Sequence, residues 1–152
     1  FAHQKVAITA GRIMLRRIST LADSRSDFAF ETTLTSRTFK PLLDELQRNG
    51  YQFHLIYLWL QTADLAIKRV QERVRAGGHD VPKDVVLRRY ERGLSNFFNI
   101  YRPIADSWIM LDNSQGPSPK LIAWRNLGGP LQIVKSGPWE RLRRTYEQNF
   151  IG

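Results

Sequence analysis

The chain has 152 residues, no cysteine, and 23 lysines and arginines against 14 aspartates and glutamates, a formal net charge of +9. That length buries one ordinary core, and that charge favours anionic partners such as phosphorylated small molecules, nucleic acid or membrane surfaces. Disulfide frameworks and thiolate metal sites are excluded, scattered His3, His54 and His79 give no metal cluster, and the longest apolar run, Leu55 to Leu60, falls far short of the roughly 20 residues of a spanning helix.

Apolar residues at Val6, Ile8, Ala10, Ile13, Met14, Ile18 and Leu21 recur at helical spacing and predict a first helix ending near Ala22. Phe28-Ala29-Phe30 follows a Ser/Asp/Arg turn, stops at Glu31-Thr32-Thr33, and reads as a buried strand with a polar carboxyl end. Ser36 is placed to cap a second helix running to about Asn49, with Gly50 as its stop. Aromatic and branched residues over Gln52 to Leu60 predict a central strand. Thr62 and Asp64 then open a third helix, Ala63 to about Arg75, ended by Gly77-Gly78.

Pro82 suits a first helical turn, and Val86, Tyr90, Leu94, Phe97 and Tyr101 continue one apolar face in steps of three and four. Ser107 to Leu111 reads as a strand ending at Asp112-Asn113. After a Gly/Pro/Ser turn, Leu121 to Trp124 and Leu131 to Val134 predict a hairpin, and a last helix is expected over Pro138 to Asn149. Strands alternating with long helices indicate one α/β domain with a largely parallel sheet. Ligands of such sheets collect beyond the carboxyl ends of the strands, where Glu31-Thr32-Thr33, Gln61-Thr62 and Asp112-Asn113-Ser114 fall. Trp59, Trp108 and Tyr90 lie on buried periods, as core residues do.

The segment Arg73 to Gly93, RVRAGGHDVPKDVVLRRYERG, sets permanent guanidinium charge on both sides of a Gly-Gly pair. Planar, multidentate guanidiniums match phosphate oxygens, so Arg75, Arg88 and Arg89 fit a lid over a transferring phosphoryl group. The alternative is a solvated helix face in which Glu91 or Asp84 pairs with these arginines. Glu31 either orients a substrate hydroxyl or caps a turn, Arg12 either contacts substrate or faces solvent, and Asn113 either reads an adenine edge or holds a turn. His79 reads as a loop histidine with no catalytic role.

Together, AGRIMLRRI (Ala10 to Ile18), FAFETTLTSR (Phe28 to Arg37), HLIYLWL (His54 to Leu60), RVRAGGHDVP (Arg73 to Pro82), LRRYERGLSNFF (Leu87 to Phe98) and ADSWIMLDNS (Ala105 to Ser114) resemble the bacterial zeta-toxin-like P-loop kinases. The resemblance implies a three-layer αβα P-loop-kinase-like fold and an ATP-dependent phosphotransferase using Mg²⁺. It also implies a small-molecule acceptor such as a UDP-N-acetylhexosamine, an antitoxin partner and a cytoplasmic setting. Carried over by position, Glu31 is the strand-end acid that contacts substrate, and Thr33 and Arg37 lie in the adjoining substrate loop. Arg75 and Arg88 are spaced like the lid arginines, Arg89 substitutes for the second, and Asn113 falls in the segment near adenine.

The family's phosphate loop, G-x-x-x-x-G-K-[ST], has no counterpart in the sequence, which starts at Phe1. The chain is therefore expected to be an N-terminally truncated piece of a longer kinase, inactive alone, with an exposed strand edge that favours dimerisation or instability. A non-catalytic or nucleic-acid-binding basic α/β module is the alternative. Nucleic acid is the weaker of these, because the arginines gather at the Gly-Gly pair and at Arg141 to Arg144 without a continuous stripe. Residues 115–152 lie outside the resemblance and carry no assigned role.

Overall fold

The computed structural model describes residues 2–148. The chain divides into two compact units, Phe1–Thr32 and Thr33–Gly152, which are described separately. Phe1, and Asn149 at the expected end of the last helix, lie outside the described residues.

The first unit holds α1 (Ala2–Asp23), the helix expected from the apolar spacing. It stops where Arg25 adopts a left-handed φ of 55° and Ser26 N–H reaches back to the Leu21 carbonyl at 3.0 Å. That closure is the usual way to satisfy the last carbonyls of a helix. Phe28-Ala29-Phe30 was expected as a strand, and residues 26–33 form none. A strand exists only through ladder bonds to a neighbour, and this segment is not a member of the sheet.

The second unit carries a four-stranded sheet in the order β1-β2-β3-β4: β1 (His54–Trp59), β2 (Ser107–Asp112), β3 (Lys120–Arg125) and β4 (Gln132–Ile133). Five further helical elements accompany it: α2 (Phe39–Arg48), α3 (Ala63–Arg75), α4 (Lys83–Asn96), α5 (Arg102–Ile104) and α6 (Ser136–Tyr146), with a π-helical turn, Phe97–Tyr101, joining α4 to α5. The α/β class stands. The expectation of a largely parallel sheet holds for β1 and β2 alone, because the β2–β3 and β3–β4 pairs are antiparallel. Only α3 and α4 provide the long crossover a parallel pair needs, whereas short Gly/Pro turns after β2 and β3 fold the chain straight back.

Helix boundaries follow local chemistry. Thr62 Oγ1 accepts from Leu65 N–H at 3.1 Å and caps α3. Gly77, at φ 87°, ends it, with Gly78 N–H on the Arg73 carbonyl at 2.8 Å and Gly77 N–H on that of Val74 at 3.0 Å. The Gly-Gly pair is thus an ordered helix stop. Ser36 does not cap α2 as expected: the helix begins three residues later, and the Ser36 hydroxyl accepts from Thr38 N–H at 3.1 Å inside the preceding turn.

The parallel register sets Leu55 beside Trp108, Tyr57 beside Met110 and Trp59 beside Asp112 on one sheet face. Against this face sits an aromatic cluster in which Phe97 lies 4.7 Å from Tyr57 and 5.8 Å from Trp108, and Trp139 of α6 stacks on Trp108 at 5.4 Å. Phe97, Phe98, Tyr101 and Trp139 are essentially inaccessible. Each contributes roughly 1.5–3 kcal/mol by burial, so this cluster is the main adhesive of the unit. Widening the helix at the π turn keeps Phe97, Phe98 and Tyr101 all on the core side. Arg102 lies over the Phe98 ring at 5.1 Å and pairs with Glu147, which Arg143 Nε also holds at 2.8 Å. The opposite sheet face leaves Ile56 and Leu58 exposed.

Candidate functional site

Two of the three expected strand ends come together. Beyond β1 and β2, Asn113 N–H donates to the Trp59 carbonyl at 2.8 Å, and Gln61 N–H donates to Ser114 Oγ at 2.8 Å. Between them sits the Asp112 carboxylate, 6% exposed, which accepts from Ser114 N–H at 3.0 Å and from Gln61 Nε2 at 3.2 Å, with Lys135 Nζ at 3.9 Å. Burial pushes the Asp112 carboxyl up, but the Ser114 hydroxyl and amide, Gln61 and Lys135 outweigh it and hold the group below its ordinary value. Asp112 is a charged anchor for this edge.

Arg69, on α3, donates through Nη2 to the carbonyl of Asn113, tying the strand-end loop to the helix. The Asn113 backbone is thereby held at both ends. Its side-chain amide makes no hydrogen bond among the described residues, so it remains available to a ligand. Sequence reasoning passed over Arg69 because half-buried arginines on a charged helix look like surface. Its spacing four residues before Arg73 was the available signal.

The α3–α4 arm rises from this edge. α3 starts at Ala63, with three residues between it and the end of β1, and its 13 residues extend about 20 Å. α4 returns to the same edge, where the Tyr90 hydroxyl donates to the Leu60 carbonyl at 2.8 Å. Residues 75–89 therefore stand beyond the carboxyl ends of β1 and β2. Ile67, Val70, Val81, Pro82 and Val86 of the arm line a cavity of about 230 Å³ rimmed by Gln71, Asp80 and Lys83. Arg73 Nη2 donates to the His79 carbonyl at 3.0 Å, which makes His79 part of the turn.

Arg75, Arg88 and Arg89 are all exposed on this arm, and none has an ion pair or hydrogen bond from its side chain among the described residues. The proposed acidic neutralisers are not engaged: Glu91 Oε2 instead accepts from the Tyr146 hydroxyl at 2.9 Å. Burial and Glu91 raise the Tyr146 hydroxyl well above its ordinary value, so it stays a donor.

Thr33 and Arg37 belong to a short loop before α2, and both are exposed, with Thr33 Oγ1 3.1 Å from Thr35 Oγ1. Arg12 on α1 and Glu31 after it belong to the first unit and are exposed. Among the described residues no group of three His, Asp or Glu side chains is arranged to hold a metal ion, and no helix is long and apolar enough to cross a membrane.

Comparison with known proteins adds one family and one relative. The family model described as Zeta toxin matches residues 2–111, most of the chain. An uncharacterized protein of Haemophilus influenzae (strain ATCC 51907 / DSM 11121 / KW20 / Rd) is 28% identical over 83 residues, covering 55% of this chain. That match spans 59% of the relative's length. No solved structure matches significantly.

Proposed function

The chain belongs to the zeta toxin family, and from that premise we propose that it is the acceptor and lid portion of an ATP-dependent phosphotransferase acting on a hydroxyl of a small molecule. The supporting observation is the arm: exposed guanidiniums without acidic partners, standing beyond the carboxyl ends of a parallel strand pair. Guanidiniums in that position neutralise negative charge as a phosphoryl group transfers, a purely electrostatic contribution. Arg75 and Arg88, with Arg89 beside the latter, take this role, and Asn113 offers donor and acceptor together to a nucleobase.

The donor set fits the phosphates of ATP, which supplies the transferable phosphoryl group when bound. Mg²⁺, which takes one or two carboxylates together with nucleotide phosphates, is the proposed metal; the described His, Asp and Glu side chains form no group of three that would hold it by themselves, and no step is assigned to the ion. Thr33, Arg37, Glu31 and Arg12 are proposed acceptor contacts. A UDP-N-acetylhexosamine is the proposed acceptor, an antitoxin the proposed protein partner, and the cytoplasm the proposed setting.

The test is transfer of γ-³²P from ATP to UDP-N-acetylglucosamine by the gene product that carries this chain, resolved by anion-exchange chromatography. Labelled sugar nucleotide that disappears with Arg75→Ala supports the reading. Label released only as inorganic phosphate with every offered sugar nucleotide would reject that acceptor, and no ATP turnover at all would reject the phosphotransferase.

A further inference from the structure

The loop before α2 is held in a costly conformation by the lower half of the helix that carries the arm arginines. Leu34 is 5% exposed and sits at φ 59°, a left-handed backbone that branched and bulky residues rarely adopt. Strain of that kind persists where the surroundings over-determine it, and it clusters at functional sites. Here the surroundings are specific. Asn96, 4% exposed at the end of α4, donates from Nδ2 to the Leu34 carbonyl at 2.9 Å. Tyr101, in the π turn, donates its hydroxyl to the Ser36 carbonyl. One turn before Asn96, Gly93 lets the loop come closer still: a Cβ there would lie 2.9 Å from the Thr33 carbonyl oxygen and 3.2 Å from the Tyr57 hydroxyl.

Two hydrogen bonds and one close approach, from α4 and the π turn that follows it, thus fix the loop at three backbone carbonyls within four residues. The grip leaves the loop's exposed chemistry outward, where the Thr33 hydroxyl and the Arg37 guanidinium have no other ordered task than the 3.1 Å contact of Thr33 with Thr35. A hydroxyl and a cation held on a strained backbone suit a polyhydroxylated, negatively charged ligand. Toward its other end, the same α4 carries Arg88 and Arg89.

We infer that α4 and the π turn act as one rigid bar that fixes loop 33–37 at a set distance from the arm arginines, with Asn96 and Gly93 as positioning residues for the acceptor side of the site. The hold on the loop stands on geometry alone; its consequence for the acceptor rests on the phosphotransferase reading. A buried Asn with this single partner, and a glycine with no tolerance for a methyl group, are then requirements of the site rather than of the core.

Two measurements separate these levels. Hydrogen exchange by mass spectrometry compares the chain with Gly93→Ala and Asn96→Ala. Faster exchange confined to residues 33–38, with the β2 segment 107–112 unchanged, is the expected result. Unaltered exchange of 33–38 in both variants overturns the hold, and equal acceleration in β2 shows a global loss that also overturns it. Steady-state kinetics of the gene product with ATP and UDP-N-acetylglucosamine then reads the consequence. The expected change is an acceptor KM raised about tenfold relative to the KM for ATP, the size of one lost buried hydrogen bond. Gly93→Ala serves where Asn96→Ala fails to fold. Turnover with unshifted KM values overturns the positioning role, whereas absence of ATP-dependent product from the unsubstituted protein rejects the phosphotransferase reading and leaves the exchange result intact.

Discussion

Arg75, Arg88 and Arg89 show how much one residue type tells from sequence, and where it stops telling. Their clustering around Gly77-Gly78 was visible, and the structure adds that no acidic side chain among the described residues is engaged with them. Because they are exposed and unpaired, Arg75→Ala and Arg88→Ala are each expected to lower kcat/KM by about 10- to 100-fold, with kcat falling more than KM rises. The thermal midpoint should stay within about a degree, since such surface positions contribute little to stability. A parallel drop in the midpoint would mark them as structural. Asn96 was illegible for the converse reason: a polar residue on a helix reads as solvent-facing until its buried carbonyl partner, 62 positions away, is known. Asp112 behaves similarly. It appeared as part of a polar strand end, but its burial and its hold on Ser114 and Gln61 required the tertiary fold. Asp112→Ala is expected to cost about 1–3 kcal/mol in urea unfolding, because it strips partners from buried donors.

At the scale of elements, the helices were readable because their apolar residues repeat and their ends carry chemical marks: Thr62 before α3, Gly50 and Gly77 after α2 and α3. Sheet direction was not, since a strand's own residues do not encode its neighbour; Phe28-Ala29-Phe30 has strand composition and takes no place in the sheet. The α3 stop gives a sharp test by glycine replacement. Gly78→Ala places a methyl group 2.6 Å from Arg73 Cγ and 2.8 Å from its carbonyl oxygen, whereas a Cβ on Gly137 in α6 meets nothing within 4 Å. Thermal melts should therefore show a loss of about 1–3 kcal/mol for the first. The second should gain about 0.5–1 kcal/mol from reduced backbone freedom. Opposite signs from the same substitution would confirm the local account; equal effects would refute it. α6 lies beyond the family match, yet Trp139→Ala should cost about 3–5 kcal/mol by opening the aromatic cluster.

For the molecule as a whole, two carboxylates, buried Asp112 and half-buried Glu147, link stability to pH. Glu147 is pushed up by burial but pulled further down by Arg143 and Arg102, so it rests below its ordinary value, as Asp112 does. A carboxyl depressed in the folded state adds stability that is complete above its unfolded pKa and is lost as pH falls through the folded one. Unfolding free energy should hold steady from pH 7 to about 5 and then decline below about pH 4, where unfolded carboxyls take up protons. Glu147→Gln should flatten part of that decline in urea titrations across the range; an unchanged acid slope would remove the Arg102–Glu147–Arg143 cluster from the account.

The order β1-β2-β3-β4 also has a directional meaning. On one side the sheet dwindles to the two residues of β4 and the chain turns away into α6. On the other, β1 presents six residues whose outward backbone groups face no partner strand among the described residues, and neither a proline nor a charged side chain interrupts them. Of the sheet's two borders, β1 therefore offers the long one, and a strand added there, from whatever source, takes its register from His54 to Trp59.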